Sequence, residues 1–255
     1  MKRSALIVIV SAVLVPFQLV PPSAARRRLQ HWGLPKACAL LALLVGTALV
    51  AAPAAAQWTG MPVWNDPKGG TGITVSGEYG KPDSAYGKGN AWGGRAALGV
   101  GTVTLTAGVA TYKPEGSSDA TTAVGGQAAF RVIGGSLLPF AVNLQAGAGT
   151  SAKITSSNYP KRTNVTGAVG MSVLLPTPGV SIEPYFSPGV RYVKLEDAIT
   201  GVSASQTKFG YALGANLTFG MLGVHLAYDY QKLDVGSTGV FGVGAHLDIR
   251  APGGF

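Results

Sequence analysis

The sequence is short of cysteine, histidine and charge. Its one cysteine, Cys38, lies near the start, so the chain from residue 57 onward can form no disulfide. That neither requires nor forbids an oxidising compartment. Only His225 and His246 of the three histidines fall after residue 57. With no Cys/His cluster at zinc-ligand spacing, neither a metal nor another cofactor is expected. Gly87-Lys88-Gly89 lacks the strand–loop–helix setting and the spacing of a phosphate loop. Charged residues make up 12% of the 255, yet the apolar share is an ordinary 47%, which argues against disorder. Acids are missing from residues 1–56, which hold Lys2, Arg3, Arg26, Arg27, Arg28 and Lys36. Of the net charge of +9, those bases account for most; the rest of the chain has 14 basic and 11 acidic residues, or +3. A nucleic-acid binder keeps its basic excess in the folded domain, so nucleic acid is not an expected partner. After residue 57 no apolar run approaches the ~20 residues of a membrane helix.

Residues 1–56 read as a leader. Lys36 precedes an apolar run from Ala37 to Val50, which ends in small residues including Ala54 and Ala56. A basic flank, a short apolar core and an A-x-A ending describe a secretory signal peptide, with cleavage expected between Ala56 and Gln57. Upstream, Ala5 to Val20 is a second apolar stretch, broken by Pro16. It reads as the product of a start codon placed too early, with a membrane helix as the alternative. The residues before Cys38 do not fit a lipoprotein anchor. Residues 57–71, with Trp58, Trp64 and Pro67, read as a periplasmic lead-in or an extra partial strand.

What is abundant is Gly, 37 residues of it, with much Ala, Val and Thr. That mixture favours strands over helices. From Gly72 the chain alternates apolar with polar or small residues in ten segments: 72–80, 90–100, 102–112, 122–133, 138–149, 164–175, 180–194, 207–219, 223–234 and 239–250. In the first, Ile73, Val75 and Tyr79 oppose Thr74, Ser76 and Glu78. In the ninth, Val224, Leu226, Tyr228 and Tyr230 oppose His225, Asp229 and Gln231. About ten residues is the length of a tilted membrane strand, and spanning strands must close into a barrel. Connections near Gly101 and at 134–137, 176–179 and 220–222 are short; those at 81–89, 113–121, 150–163 and 195–206 are long and polar. Such alternation is that of outer-membrane barrels, with an even strand number placing both termini on the periplasmic, short-turn side. Tyr79, Trp92, Tyr192, Tyr211, Tyr228 and Tyr230 fall near the long-loop ends of apolar faces, and Phe140 and Phe219 near the short-turn ends. This suits two interfacial girdles. The expectation is an all-β, antiparallel, up-and-down transmembrane barrel over 72–250, followed by a tail, 251–255. Ten strands are expected. Eight is the fallback, because Pro184 and Pro188 lack the donors a central strand uses. A secreted soluble β-sandwich binding a partner is the alternative fold.

The alternating segments, the ending Ala54-Ala55-Ala56 and the stretch Glu183-Pro184-Tyr185-Phe186-Ser187-Pro188-Gly189-Val190-Arg191-Tyr192 resemble the small outer-membrane β-barrels. That group includes the OmpA membrane domain and the OmpX-like and Opa-like barrels. The resemblance implies residence in the bacterial outer membrane, with its lipid, lipopolysaccharide and barrel assembly machinery as partners. Family members commonly end on a strand-terminal aromatic; here Ala251 to Gly254 separate Phe255 from the last strand.

The inward face is expected to carry Glu78, Glu183, Asp229 and Asp248 against Arg95, Arg131, Arg191 and Arg250. Small barrels have little interior beyond their own side chains, and buried charges must pair. A non-enzymatic barrel with a charge-paired, mostly filled lumen is therefore the leading expectation. A narrow porin-like channel is the second, because inward glycines such as Gly93 and Gly99 leave room for water. A barrel enzyme is the third. Counting across the last hairpin brings His225 toward Asp248 and His246 toward Asp229, pairs able to move a proton. No serine stands beside either histidine, so no catalytic residue is expected. Loop residues Lys153, Lys161 and Arg162 suit either anionic lipopolysaccharide or solvent.

Overall fold

A computed structural model describes residues 58–62, 69–135 and 138–250, except for the side chains of Pro176 and Arg250. The leader with its Ala56–Gln57 cleavage point and the tail with Phe255 lie outside these residues. The described chain forms eleven strands: β1 (Gly72–Pro82), β2 (Asn90–Val100), β3 (Val103–Lys113), β4 (Thr121–Gly135), β5 (Leu138–Ser151), β6 (Lys161–Val173), β7 (Leu175–Thr177), β8 (Val180–Glu196), β9 (Ser203–Phe219), β10 (Leu222–Lys232) and β11 (Ser237–Arg250). Each pairs antiparallel with its neighbours. β1 joins β11 and β6 joins β8, so the sheet closes. Strand β7 continues β6 against β8 in one register: Met171 faces Phe186 and Leu175 faces Ile182. β6 and β7 thus make a single stave, and the barrel has ten.

The two prolines explain why that stave is split. Both lie inside β8 on its outward face, and pairing with β9 runs unbroken from Ser181 to Glu196. Toward β6 and β7 the ladder skips residues 169–170 and 173–174, opposite Pro188 and Pro184. Prolines of equal parity aim their missing donors at the same neighbour. The cost falls on one seam, and the stave count stays at ten.

The period-two pattern sets the faces. Outward positions are exposed and apolar, among them Val75, Leu105, Leu144, Leu213, Leu226 and Val243. A surface of this kind is unfavourable in water and matches a bilayer interior, which only helices or closed barrels cross. Among the described residues no helix is long and apolar enough to cross a membrane. Trp92, 65% exposed, packs at a tilt against Tyr79 on the outward face near the long loops, and Tyr211 stacks on Tyr230 at 4.9 Å. Phe140 and Phe219 occupy the other edge.

The interior is not empty. Trp58, Thr59, Met61 and Pro62 are buried among inward residues of β1, β2, β3, β4 and β11. The Trp58 indole N–H donates to the Gly108 carbonyl at 2.7 Å. The expected periplasmic lead-in therefore has its first part inside the barrel. Glycines make the room: a Cβ on Gly80 would collide with the Gly60 carbonyl, and one on Gly93 would lie 2.9 Å from Met61 Cε. At the short-turn rim, a Cβ on Gly99 would strike the Gly70 carbonyl. Two inward glycines expected to admit water, Gly93 and Gly99, instead border Met61 and Gly70.

Candidate functional site

The lumen holds two polar layers separated along the barrel axis. In the layer nearer the long loops, Arg191 on β8 reaches Asp229 on β10, Nη2 to Oδ1 at 3.1 Å. Both are almost fully buried, at 1% and 2% exposure. Arg162 lies in the same layer. Expected in a loop facing lipopolysaccharide or solvent, it is instead an inward residue of β6. Its guanidinium sits 4.0 Å from the Tyr86 ring centre and donates to Asn164 Oδ1 (2.9 Å) and Gln231 Oε1 (3.4 Å). The signal for it was parity, since Arg162 is in phase with the inward Asn164 and Thr166. Above it, Tyr112 donates to the Tyr86 carbonyl at 3.2 Å, and Tyr159 folds in from the β5–β6 loop. Burial pushes the Tyr159 phenol well above its usual range. With Trp58 and Met61 these rings fill that half of the barrel.

The second layer is centred on four adjacent staves, β10, β11, β1 and β2. Glu78 takes an ion pair from Arg95 and a hydrogen bond from Ser76 Oγ at 3.1 Å; Arg95 Nε also donates to Ser76. His225 Nε2 lies 3.5 Å from Glu78 Oε1. The two histidine rings stack with their Nδ1 atoms 3.0 Å apart, so one Nδ1 donates and the other accepts. His246 Nε2 stands 3.9 Å from Asp248 Oδ2, and Thr74 Oγ1 donates to Asp248 Oδ1 at 2.6 Å. The result is a chain from Arg95 through Glu78, His225 and His246 to Asp248.

This differs from the expected pairing of His225 with Asp248 and of Asp229 with His246. The last hairpin pairs His225 with Gly244 and Asp229 with Val240. Its turn closes earlier than expected, with Leu233 N–H bonding the Gly236 carbonyl and Gly236 at φ 81°. Parity carried the warning. Inward residues are odd-numbered on β10 and even-numbered on β11, so His225 cannot face residue 249.

The remaining charged positions lie at or near the short-turn end. Glu183 accepts from Ser172 Oγ at 2.7 Å. Arg131 donates to the Gly101 carbonyl at 3.2 Å, next to the bulge that turns both Val132 and Ile133 outward. Arg250 pairs its backbone with Gly72; its side chain is outside the described part. A cavity of about 420 Å³ opens at this end, bounded by Arg95, Arg131, Glu183, His246 and Asp248. Among the described residues no group of three or more His, Cys, Asp or Glu is placed to hold a metal ion.

Neither a protein-family model nor a curated protein sequence matches the chain. Solved structures do resemble it. The N-terminal β-barrel domain of OprF from Pseudomonas aeruginosa is 14% identical, over 71% of this chain and 99% of that one, with a TM-score of 0.33. The attachment invasion locus protein Ail of Yersinia pestis is 18% identical, over 70% and 99%, at 0.35. The outer membrane enzyme PagL is 11% identical, over 69% and 99%, at 0.41. The barrel assignment rests on this chain's own closed ladder.

Proposed function

We propose that this chain is a non-enzymatic outer-membrane barrel of a bacterial envelope, with a closed lumen and a structural or interaction role. The observation that carries this reading is the filling of one half of the lumen by Trp58 and Met61 against Tyr86, Tyr112 and small inward residues. Charge pairing in both layers supports it, since paired ions and packed rings take up lumen space that a water path would need. Both barrel ends, Gly72 and Arg250, lie at the short-turn edge, which the reading places in the periplasm. Outward lysines favour the same orientation. Lys81, Lys113, Lys161, Lys194 and Lys232 all face out at the long-loop edge, where lipopolysaccharide phosphates would meet them.

Planar-bilayer recording of the detergent-extracted protein tests the closed lumen. The expected trace shows no unitary steps. Reproducible steps in the unmodified protein would overturn the reading in favour of a narrow channel, the alternative that the short-turn cavity supports.

A further inference from the structure

The two near-parallel histidine rings of the lumen meet end to end. Their centres are 5.3 Å apart and their planes differ by 23°. The 3.0 Å between the Nδ1 atoms, plus one ring radius on each side, accounts for that whole separation. Both nitrogens therefore lie near the line joining the ring centres, and their lone-pair directions point at each other along it. Behind each ring stands a carboxylate. Glu78 lies 3.5 Å from His225 Nε2, and Asp248 lies 3.9 Å from His246 Nε2. A carboxylate on the far nitrogen is how proteins fix and orient a histidine that ligates a metal. Both gaps are longer than a good hydrogen bond, so each ring has room to move back toward its carboxylate. The cavity at the short-turn end borders both rings and gives a small ion a way in.

We infer that His225 and His246 form a two-coordinate site for a monovalent cation with a filled d shell, Cu(I) or Ag(I), held in line between their Nδ1 atoms. Geometry selects the ion. Two opposed nitrogens suffice for such a cation, whereas Zn(II), Ni(II) and Cu(II) take larger ligand sets. Among the described residues no group of three or more His, Cys, Asp or Glu supplies such a set. A metal–nitrogen bond of about 2 Å requires the Nδ1 atoms to part by about 1 Å, a movement shared between two side chains. The proton between them passes to the Nε2 that lacks one. Both rings then stay neutral, and each Nε2–H faces a carboxylate. Charge agrees with this choice. Along the chain from Arg95 to Asp248, one cation against two carboxylates leaves −1 while the histidines are neutral, and a monovalent ion brings it to zero. Spacing rules built on clusters of zinc ligands pass over a site of this kind. The inference goes beyond the closed-lumen reading and holds whether or not the barrel conducts.

The test is competition for Cu(I), under ascorbate, between bicinchoninate and the full chain in detergent, with Cys38→Ser removing the chain's one thiol. Each chain should take one Cu(I) from the chelator. Zn(II) should bind at least about tenfold more weakly. His225→Gln and His246→Gln should each weaken Cu(I) binding by about tenfold or more while leaving unboiled gel mobility unchanged. X-ray absorption at the copper edge should show two nitrogen neighbours at about 2 Å and no sulfur. Absence of Cu(I) uptake, a smaller margin over Zn(II), a smaller loss in either folded variant, or a sulfur or third neighbour on copper would overturn the assignment. If the variants fail to fold, the metal ranking and the copper neighbours in the parent still decide it.

Discussion

At the scale of single residues, two positions carry the lumen argument. Asp229 faces the guanidinium of Arg191 with both groups buried. Removing the carboxylate leaves a buried cation, so Asp229→Asn should destabilise the barrel by about 3–5 kcal/mol. Replacing both partners by Met should recover most of that loss. Urea unfolding in micelles, followed by gel mobility, measures both. Gly80 is the second position. A side chain there collides with the Gly60 carbonyl, so Gly80→Val should expel the Trp58–Pro62 segment. A Thr59→Cys reporter, buried in the parent, should resist a maleimide reagent there and react quickly in the Gly80→Val background. Equal reactivity in both would show that the segment is not held. Unlike Arg162, which read as a loop residue, Glu78, Arg95, Glu183, Arg191 and Asp229 were legible as inward residues because period-two alternation assigns faces directly. Their partners were not, because one residue of error in a turn re-pairs every cross-strand neighbour. The histidines show this: their faces were right and their partners wrong.

At the scale of elements, the strands were readable nearly to their ends, and the connections only by length. The β8–β9 turn has its own chemistry. Asp197 accepts from the Ile199 and Thr200 N–H groups and from the Thr200 hydroxyl. Those donors, Thr200 first, hold its carboxyl below the usual range. A lowered folded value means the turn gains stability above the ordinary carboxylate pKa and loses it as pH falls through the lowered one. Amide protection at residues 197–202 should therefore fall below about pH 4 in the parent. Asp197→Asn should show no such step. Pro184 and Pro188 teach the converse lesson. Counted as strand breakers, they suggested a smaller barrel. Placed outward with equal parity, they disturb one ladder and leave the stave intact.

At the scale of the whole molecule, barrel closure was legible from strand length, even count and alternating connections. The occupied lumen was not. Residues 58–62 have no periodicity, and an inward glycine looks the same whether it borders water or backbone. Sidedness is testable at this scale. On intact cells, a membrane-impermeant amine reagent should modify the outward lysines of the long-loop rim, Lys81, Lys113, Lys161, Lys194 and Lys232. Protection of all five, with labelling only after the envelope is opened, would reverse the proposed orientation.

The seam between β1 and β11 joins the first strand to the last. No ring can exist until β11 has been made, and until then the sheet has two free edges. The segment carrying Trp58 leaves the ribosome before any of the eleven described strands. It is available while the wall it packs against is still open. The order of synthesis thus puts the filling in hand before the last side of its container.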